Sequence, residues 1–245
     1  MAAQQTEPLT GPQRLFEDVM RDLNELCSNL QSATPNLRQI KIVSTTTVTQ
    51  TFLAPLMKEF LDRFPDITLH LQECQPGDFY TYLTQNDADI AIGASIDHLD
   101  GYHINNLFED ALVVFGKNEV LQTDTNTLAW QELQHHELIL VKAGYGIRNL
   151  IDKIFTKVEI IDDIQIVQQV TLLNTAISLA KAGLGVTIIP ESIAKYFSDA
   201  DHGYRLLVEP STTRTISLVH AKSVQNDHYL YDFIEFIKER TPLLI

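Results

Sequence analysis

From residue 37 to the last residue, short apolar strands alternate with amphipathic helices, and this alternation limits the fold more than any other feature of the chain. IKIVS (residues 40–44) reads as a strand. After a polar crossover, Leu53, Leu56, Met57, Phe60, Leu61 and Phe64 recur at helical spacing and predict one buried face. Phe64-Pro65 stops that helix, because a residue before proline avoids the helical region. ITLHL alternates with period two, as a half-buried strand does. A helical stretch follows Pro76-Gly77 and runs to about Gln85, and DADIAIGAS gives a strand of small and apolar residues. FEDALVVFGK reads as a strand, LAWQELQHHELILV as a helix leading into a strand, RNLIDKIFTKV as a helix and IQIVQQV as a strand. NTAISLAKAGLGVTIIP predicts a helix stopped by Gly183, then a buried strand ended by Pro190. YRLLVE and RTISLVHAK read as strands, and HYLYDFIEFIKER as a C-terminal amphipathic helix. Such alternation predicts an α/β architecture with largely parallel sheets. Strand, polar loop and helix follow one another at residues 40–64 and again at 138–157. The repeat predicts two lobes of similar build with a cleft between them, the chain leaving the first near residues 116–127 and returning near 211–214.

Ahead of this region lies LTGPQRLFEDVMRDLNELCSNLQ. Thr10 is placed to cap a helix, with Pro12 in the first turn and Gln13 three residues after the cap. Phe16, Val19, Leu23, Leu26 and Leu30 then recur at steps of three and four, a heptad seam. A helix lying on its own domain and a helix pairing with another both satisfy that pattern. Pro35 breaks it.

The bulk composition excludes several classes. A formal charge of -14, from 32 acidic and 18 basic residues, is wrong for a chain that grips DNA unaided, since affinity for a duplex depends on cations that displace counterions. No apolar run reaches the roughly 18–20 residues of a membrane span, and the N-terminus lacks the apolar core of a secretory signal. Two cysteines, Cys27 and Cys74, without Cys-x-x-Cys spacing fit a reduced, cytoplasmic setting better than a redox sensor.

The crossover between the first strand and helix concentrates side-chain donors. Ser44, Thr45, Thr46, Thr47, Thr49 and Gln50 stand at the carboxyl end of a strand and the start of a helix, where open α/β sheets take ligands. Unpaired helix N–H groups favour anions there, and hydroxyls rotate to suit an acceptor-rich ligand. A strand edge rich in threonine, with Thr49 or Thr51 merely capping the helix, is the plainer alternative. Without GxxxxGK or GxGxxG a nucleotide is not expected. In the second repeat, KAGYGIRN offers Gly144 and Gly146 for a tight loop with exposed N–H groups, and Arg148 as a fork for a carboxylate or sulfate. A solvated surface charge is the commoner fate of an arginine. Ser95, just past DIAIG, would form a third edge of the cleft. His135 and His136, adjacent before a strand, point to opposite faces and make a poor chelating pair. No GxSxG or HExxH occurs, so no catalytic, metal-ligating or cofactor-binding residue is assigned. Trp130 and the aromatic residues of the last helix read as packing.

Taken in order, LTGPQRLFEDVMRDL, IKIVS, LAPLMKEFLDRFPDITLHL, DADIAIG and AKAGLGVTIIP resemble the LysR-type transcriptional regulators over residues 9–245. The likeness begins at that family's linker helix and covers its effector-binding region. It implies two Rossmann-like lobes of the type II periplasmic-binding-protein kind preceded by a linker helix. The division expected is 1–36 for the tail and linker helix, 37–117 plus 212–245 for the first lobe, and 118–211 for the second. It also implies a small-molecule effector in the cleft and a homodimer or homotetramer. DNA contact would be made by a winged helix–turn–helix not in this chain, which makes the chain a piece of a longer regulator. Thr47-Val48-Thr49-Gln50 looks like the Thr-x-Thr-Gln loop of the CysB-like, sulfur-assimilation branch, which implies a sulfate-like or amino-acid-like ligand at Thr47, Thr49 and Gln50. Ala94 and Gly146 stand where that branch has hydroxyls. Two other classes share the scaffold, a solute-binding protein of a transporter and an enzyme; an export signal would favour the first and turnover the second.

Overall fold

The computed structural model describes residues 38–94, 100–121, 125–144, 146–222 and 228–243. The expected linker helix, with Thr10 and the heptad from Phe16 to Leu30, lies outside the described residues, as does Ser95.

The first strand, β1 (Arg38–Ser44), carries buried Ile40, Ile42 and Val43. Its neighbours Ile40 and Ile42 enter one apolar cluster and Val43 another, so both faces of the strand are covered. The helix that follows begins earlier than its apolar spacing indicates. Thr46–Val48, the π-helical Thr49–Leu53 and Ala54–Arg63 run on as one helix, α1. Leu53, Leu56 and Phe60 lie on its buried face. Phe60 meets Phe233 edge-on at 4.8 Å between ring centroids, which locks α1 to the last helix, α6 (His228–Arg240). The helix ends as the Phe64-Pro65 pair requires, with Phe64 at φ -127° and ψ 70°.

Next come β2 (Ile67–Glu73), α2 (Phe79–Thr84) and β3 (Ile90–Ala94), and β1 pairs in parallel with both strands. A long strand, β4 (Tyr102–Lys117), then crosses the molecule. The second half holds β5 (Thr127–Ala129), β6 (Glu137–Val141), α3 (Gly146–Lys157), β7 (Gln165–Val170), α4 (Leu173–Lys181), β8 (Val186–Pro190), α5 (Glu191–Phe197) and β9 (His202–Val208). The chain returns through β10 (Thr213–Ala221) to α6. The stretch at 128–135, where the pattern predicts a helix, is the end of β5 followed by a short 3-10 turn over Trp130–His135. Helix α5 had no counterpart in the sequence reading.

The strands form one connected path, β2-β1-β3-β10-β4-β8-β6-β7, with β9 on β4 and β5 on β9. Strand β4 pairs with β10 up to Ala111 and with β8 and β9 from Leu112 and Val113 onward, so it passes from one half to the other. This is the mixed α/β, two-lobed architecture of the type II periplasmic-binding-protein kind. Each half buries a cluster on both faces of its sheet. In the second half Gly185, at φ +143°, lets β8 approach β6: a Cβ there would stand 2.3 Å from the Glu137 carbonyl oxygen.

Candidate ligand site

Strand directions place the site. Strand β3 and β4 are both antiparallel to β10, so β3 and its parallel neighbour β1 end pointing toward the second half. Strand β8 is antiparallel to β4, so β8 and its parallel partners β6 and β7 end pointing toward the first half. The carboxyl ends of both parallel sets therefore face one another across the crossing strands. Ser44 and Ala94 stand on one rim, with Val141, Val170 and Pro190 on the other. Ligands of open α/β sheets bind at such ends.

On the first rim the hydroxyls divide by what they already do. Ser44 is fully buried and donates to the Ile92 carbonyl at 2.7 Å, so it ties β1 to β3. Thr46 donates to Glu73 at 3.2 Å, and Thr45 and Thr47 share a hydrogen bond of 3.4 Å. Thr51 donates back to the Thr47 carbonyl at 2.9 Å, within the helix, and does not cap it. Thr45 holds the N-cap position, without a side-chain capping bond. Two groups are left over. Thr49 Oγ1 and Gln50 Oε1 are buried, and among the described residues neither has a hydrogen-bond partner. Buried polar atoms are nearly always paired, and an unpaired one costs about 1–3 kcal/mol. Both sit in the π-helical turn, an irregularity that recurs at functional sites.

On the second rim Gly144, at φ +95°, turns the loop after β6, and a Cβ there would meet open space. Gly146 is the first residue of α3. Arg148 is neither solvated nor wholly open to a ligand. It is 8% exposed, with Nε on Asp152 at 2.7 Å and a terminal nitrogen on the Val141 carbonyl at 2.9 Å. It thereby holds the start of α3 against the end of β6.

At the crossing itself lies a cluster that no local sequence pattern announces. Asp110 is 4% exposed and accepts from the backbone N–H (3.1 Å) and hydroxyl (2.8 Å) of Ser192 and from Arg214 at 2.9 Å. One carboxylate thus joins both crossing strands to α5. Beside it, a cavity of about 340 Å³ lies between the π turn (Thr51, Phe52), β4 (Phe108, Glu109) and α5 (Glu191, Lys195, Tyr196). It takes in none of the residues chosen from the sequence. Among the described residues, no three or more His, Cys, Asp or Glu side chains are placed to hold a metal ion, and no helix is long and apolar enough to cross a membrane.

Fold and rims together define a two-lobed α/β binding domain. Residues 34–242 match the family model of the LysR substrate binding domain, and the chain belongs to that family. The uncharacterized HTH-type transcriptional regulator YybE of Bacillus subtilis is 26% identical over 145 residues, 59% of this chain and 49% of that protein. HTH-type transcriptional regulator CysB of Haemophilus influenzae is 26% identical over 211 residues, 82% of this chain and 62% of that one. The chain thus spans about half to three fifths of these curated relatives. Among solved structures, the BenM effector binding domain with its effector benzoate superposes with a TM-score of 0.72 at 16% identity, covering 84% of this chain and 93% of that one. The effector binding domain of QuiR in complex with shikimate does so at 0.69 and 19%, covering 84% and 98%.

Proposed function

We propose that this chain is the effector-sensing region of a LysR-type transcription regulator. It binds a small anionic or amino-acid-like molecule between its lobes and relays binding through a homodimer or homotetramer, in the cytoplasm, to a DNA-binding segment outside this chain. In this reading the lobes part within β4, at Ala111–Leu112 rather than after residue 117, and the chain returns to the first lobe at residue 212. The observation that carries it is the pair of buried, partnerless atoms on Thr49 and Gln50, on the rim that faces the other lobe. Thr47 stands two and three residues before them. A hydroxyl gives and accepts, and the amide can turn either end to the ligand, so the three together suit a carboxylate or sulfate flanked by donors. The N–H groups of Thr46 and Thr47, at the start of α1, add to the same field, and Gly144, Gly146 and Arg148 complete the opposite rim. That BenM takes benzoate and QuiR shikimate, both carboxylates, supports an anion in such a cleft. Regulation requires the ligand to favour one of two arrangements of the lobes, since equal affinity for both would shift nothing.

Calorimetric titration with sulfate, small carboxylates and O-acetylserine-like amino acids tests the reading. At least one of these binds the wild type, and the Thr47→Ala, Thr49→Ala, Gln50→Ala triple variant binds it at least about 100-fold more weakly, since two or three hydrogen bonds to a charged group, at about 1.5–3 kcal/mol each, are lost. Equal affinity in both proteins removes this turn from the site.

A further inference from the structure

The cavity beside the crossing strands has a chemistry of its own. Phe52 and Phe108 form an aromatic wall, their ring centroids 5.2 Å apart, and Tyr196 stands at the mouth with 65% of its surface exposed. Its volume, about 340 Å³, lies at the small end of the range for ligand pockets. The charges around it are unevenly met. Asp110 is answered by Arg214. Glu109 accepts hydroxyls from Thr213 and Thr215, both at 2.7 Å, and those donors carry no charge. Glu191 is approached by Lys195 at 3.5 Å, a distance too long for a good hydrogen bond, by a side chain that is 54% exposed. Tyr204 donates to the same carboxylate at 3.3 Å.

We propose that this cavity binds a small primary amine with a flat apolar body, its ring against Phe52 and Phe108 and its ammonium between Glu109 and Glu191. Lys195 is a weak internal stand-in for that ammonium. A ligand cation that displaces it gains a shorter charge-assisted bond and the attraction of the aromatic faces. The walls come from the π turn, from β4 and from α5, so the occupant touches elements of both halves at the crossing. The site shares no residue with Thr47, Thr49 and Gln50, and its test is independent of theirs.

Calorimetric titration with phenethylamine and with phenylacetate, on the whole chain at pH 7, decides it. Phenethylamine binds the wild type; Glu191→Gln or Glu109→Gln weakens it about tenfold. Lys195→Met tightens it several-fold, because the competing cation is gone. Phenylacetate gives no heat at these residues, and the Thr47→Ala, Thr49→Ala, Gln50→Ala variant binds phenethylamine as the wild type does. The proposal is overturned if phenethylamine gives no heat with either the wild type or Lys195→Met. It is equally overturned if Lys195→Met leaves phenethylamine binding unchanged or weakens it, or if phenylacetate binds and is lost with that substitution. Thermal unfolding of each variant near the wild-type midpoint shows that a lost signal is lost binding.

Discussion

Asp110 is the residue on which the crossing of the two halves depends. Its carboxylate takes bonds from Arg214 and Ser192, which lie 104 and 82 positions further along the chain. Breaking a buried pair by removing one partner leaves the other charge uncompensated and costs about 3–5 kcal/mol. Asp110→Ala is therefore expected to lower the urea-unfolding free energy by roughly that amount. Asp110→Ala with Arg214→Met is expected to lose less than the two single losses together, because the stranded charge is gone. Strict additivity would show that the pair does not act as a unit. At the same scale, burial pushes the Cys74 thiol up to about 11, with Asp78 adding to the effect. Its thiolate, the reactive form, is scarce at pH 8. In a Cys27→Ser background, Cys74 should react with a disulfide reagent at least about tenfold more slowly than an unperturbed thiol; an equal rate contradicts that environment.

Elements with strong periodicity were plain in the sequence, and the exceptions have physical causes. Leu53, Leu56 and Phe60 announce α1 through their spacing, but its first turns did not show, because a run of β-branched threonines reads as strand or loop. Context overrules that propensity here: the chain must turn at Thr45 to lay Phe52 and Leu53 into the core. Helix α5 is seven residues long and gave too short a pattern to separate from the loop after Pro190. The hydroxyl-rich rim was legible as residue types, yet only the structure shows which donors are already spent. The Asp110 cluster was illegible, since nothing local links residues so far apart. Strands β4 and β10 also set His103 opposite His220. Burial lowers the affinity of His220 for a proton below its ordinary value of 6.5, and burial does the same to His136. A depressed folded-state value means the unfolded chain binds more protons, so this stability is present above about pH 6.5 and lost as pH falls from there through the folded values. A His136→Gln, His220→Gln variant should show a flatter loss of thermal midpoint between about pH 7 and 5 than the wild type. A parallel loss would assign the acid sensitivity to other groups.

For the whole molecule, the proposed relay needs more than one copy of the chain. In the proposed relay α1 of one subunit packs near α4 of its partner, and Leu172 and Leu184, flanking α4, are 62% and 45% exposed. Covering them would remove apolar surface from water. Light scattering should find a dimer or larger at micromolar concentration, and Leu172→Asp with Leu184→Asp should weaken association at least about tenfold. A wild type that stays monomeric contradicts the relay. Relay and sensing both rest on the claim that the turn bearing Thr47, Thr49 and Gln50 holds an anion against the opposite lobe. Crystals grown with selenate, whose selenium reports its own position by anomalous scattering, test that claim most directly. An anomalous peak is expected within hydrogen-bonding reach of Thr49 and Gln50, between the lobes. A fully occupied peak elsewhere on the molecule, with this turn empty, would contradict the claim.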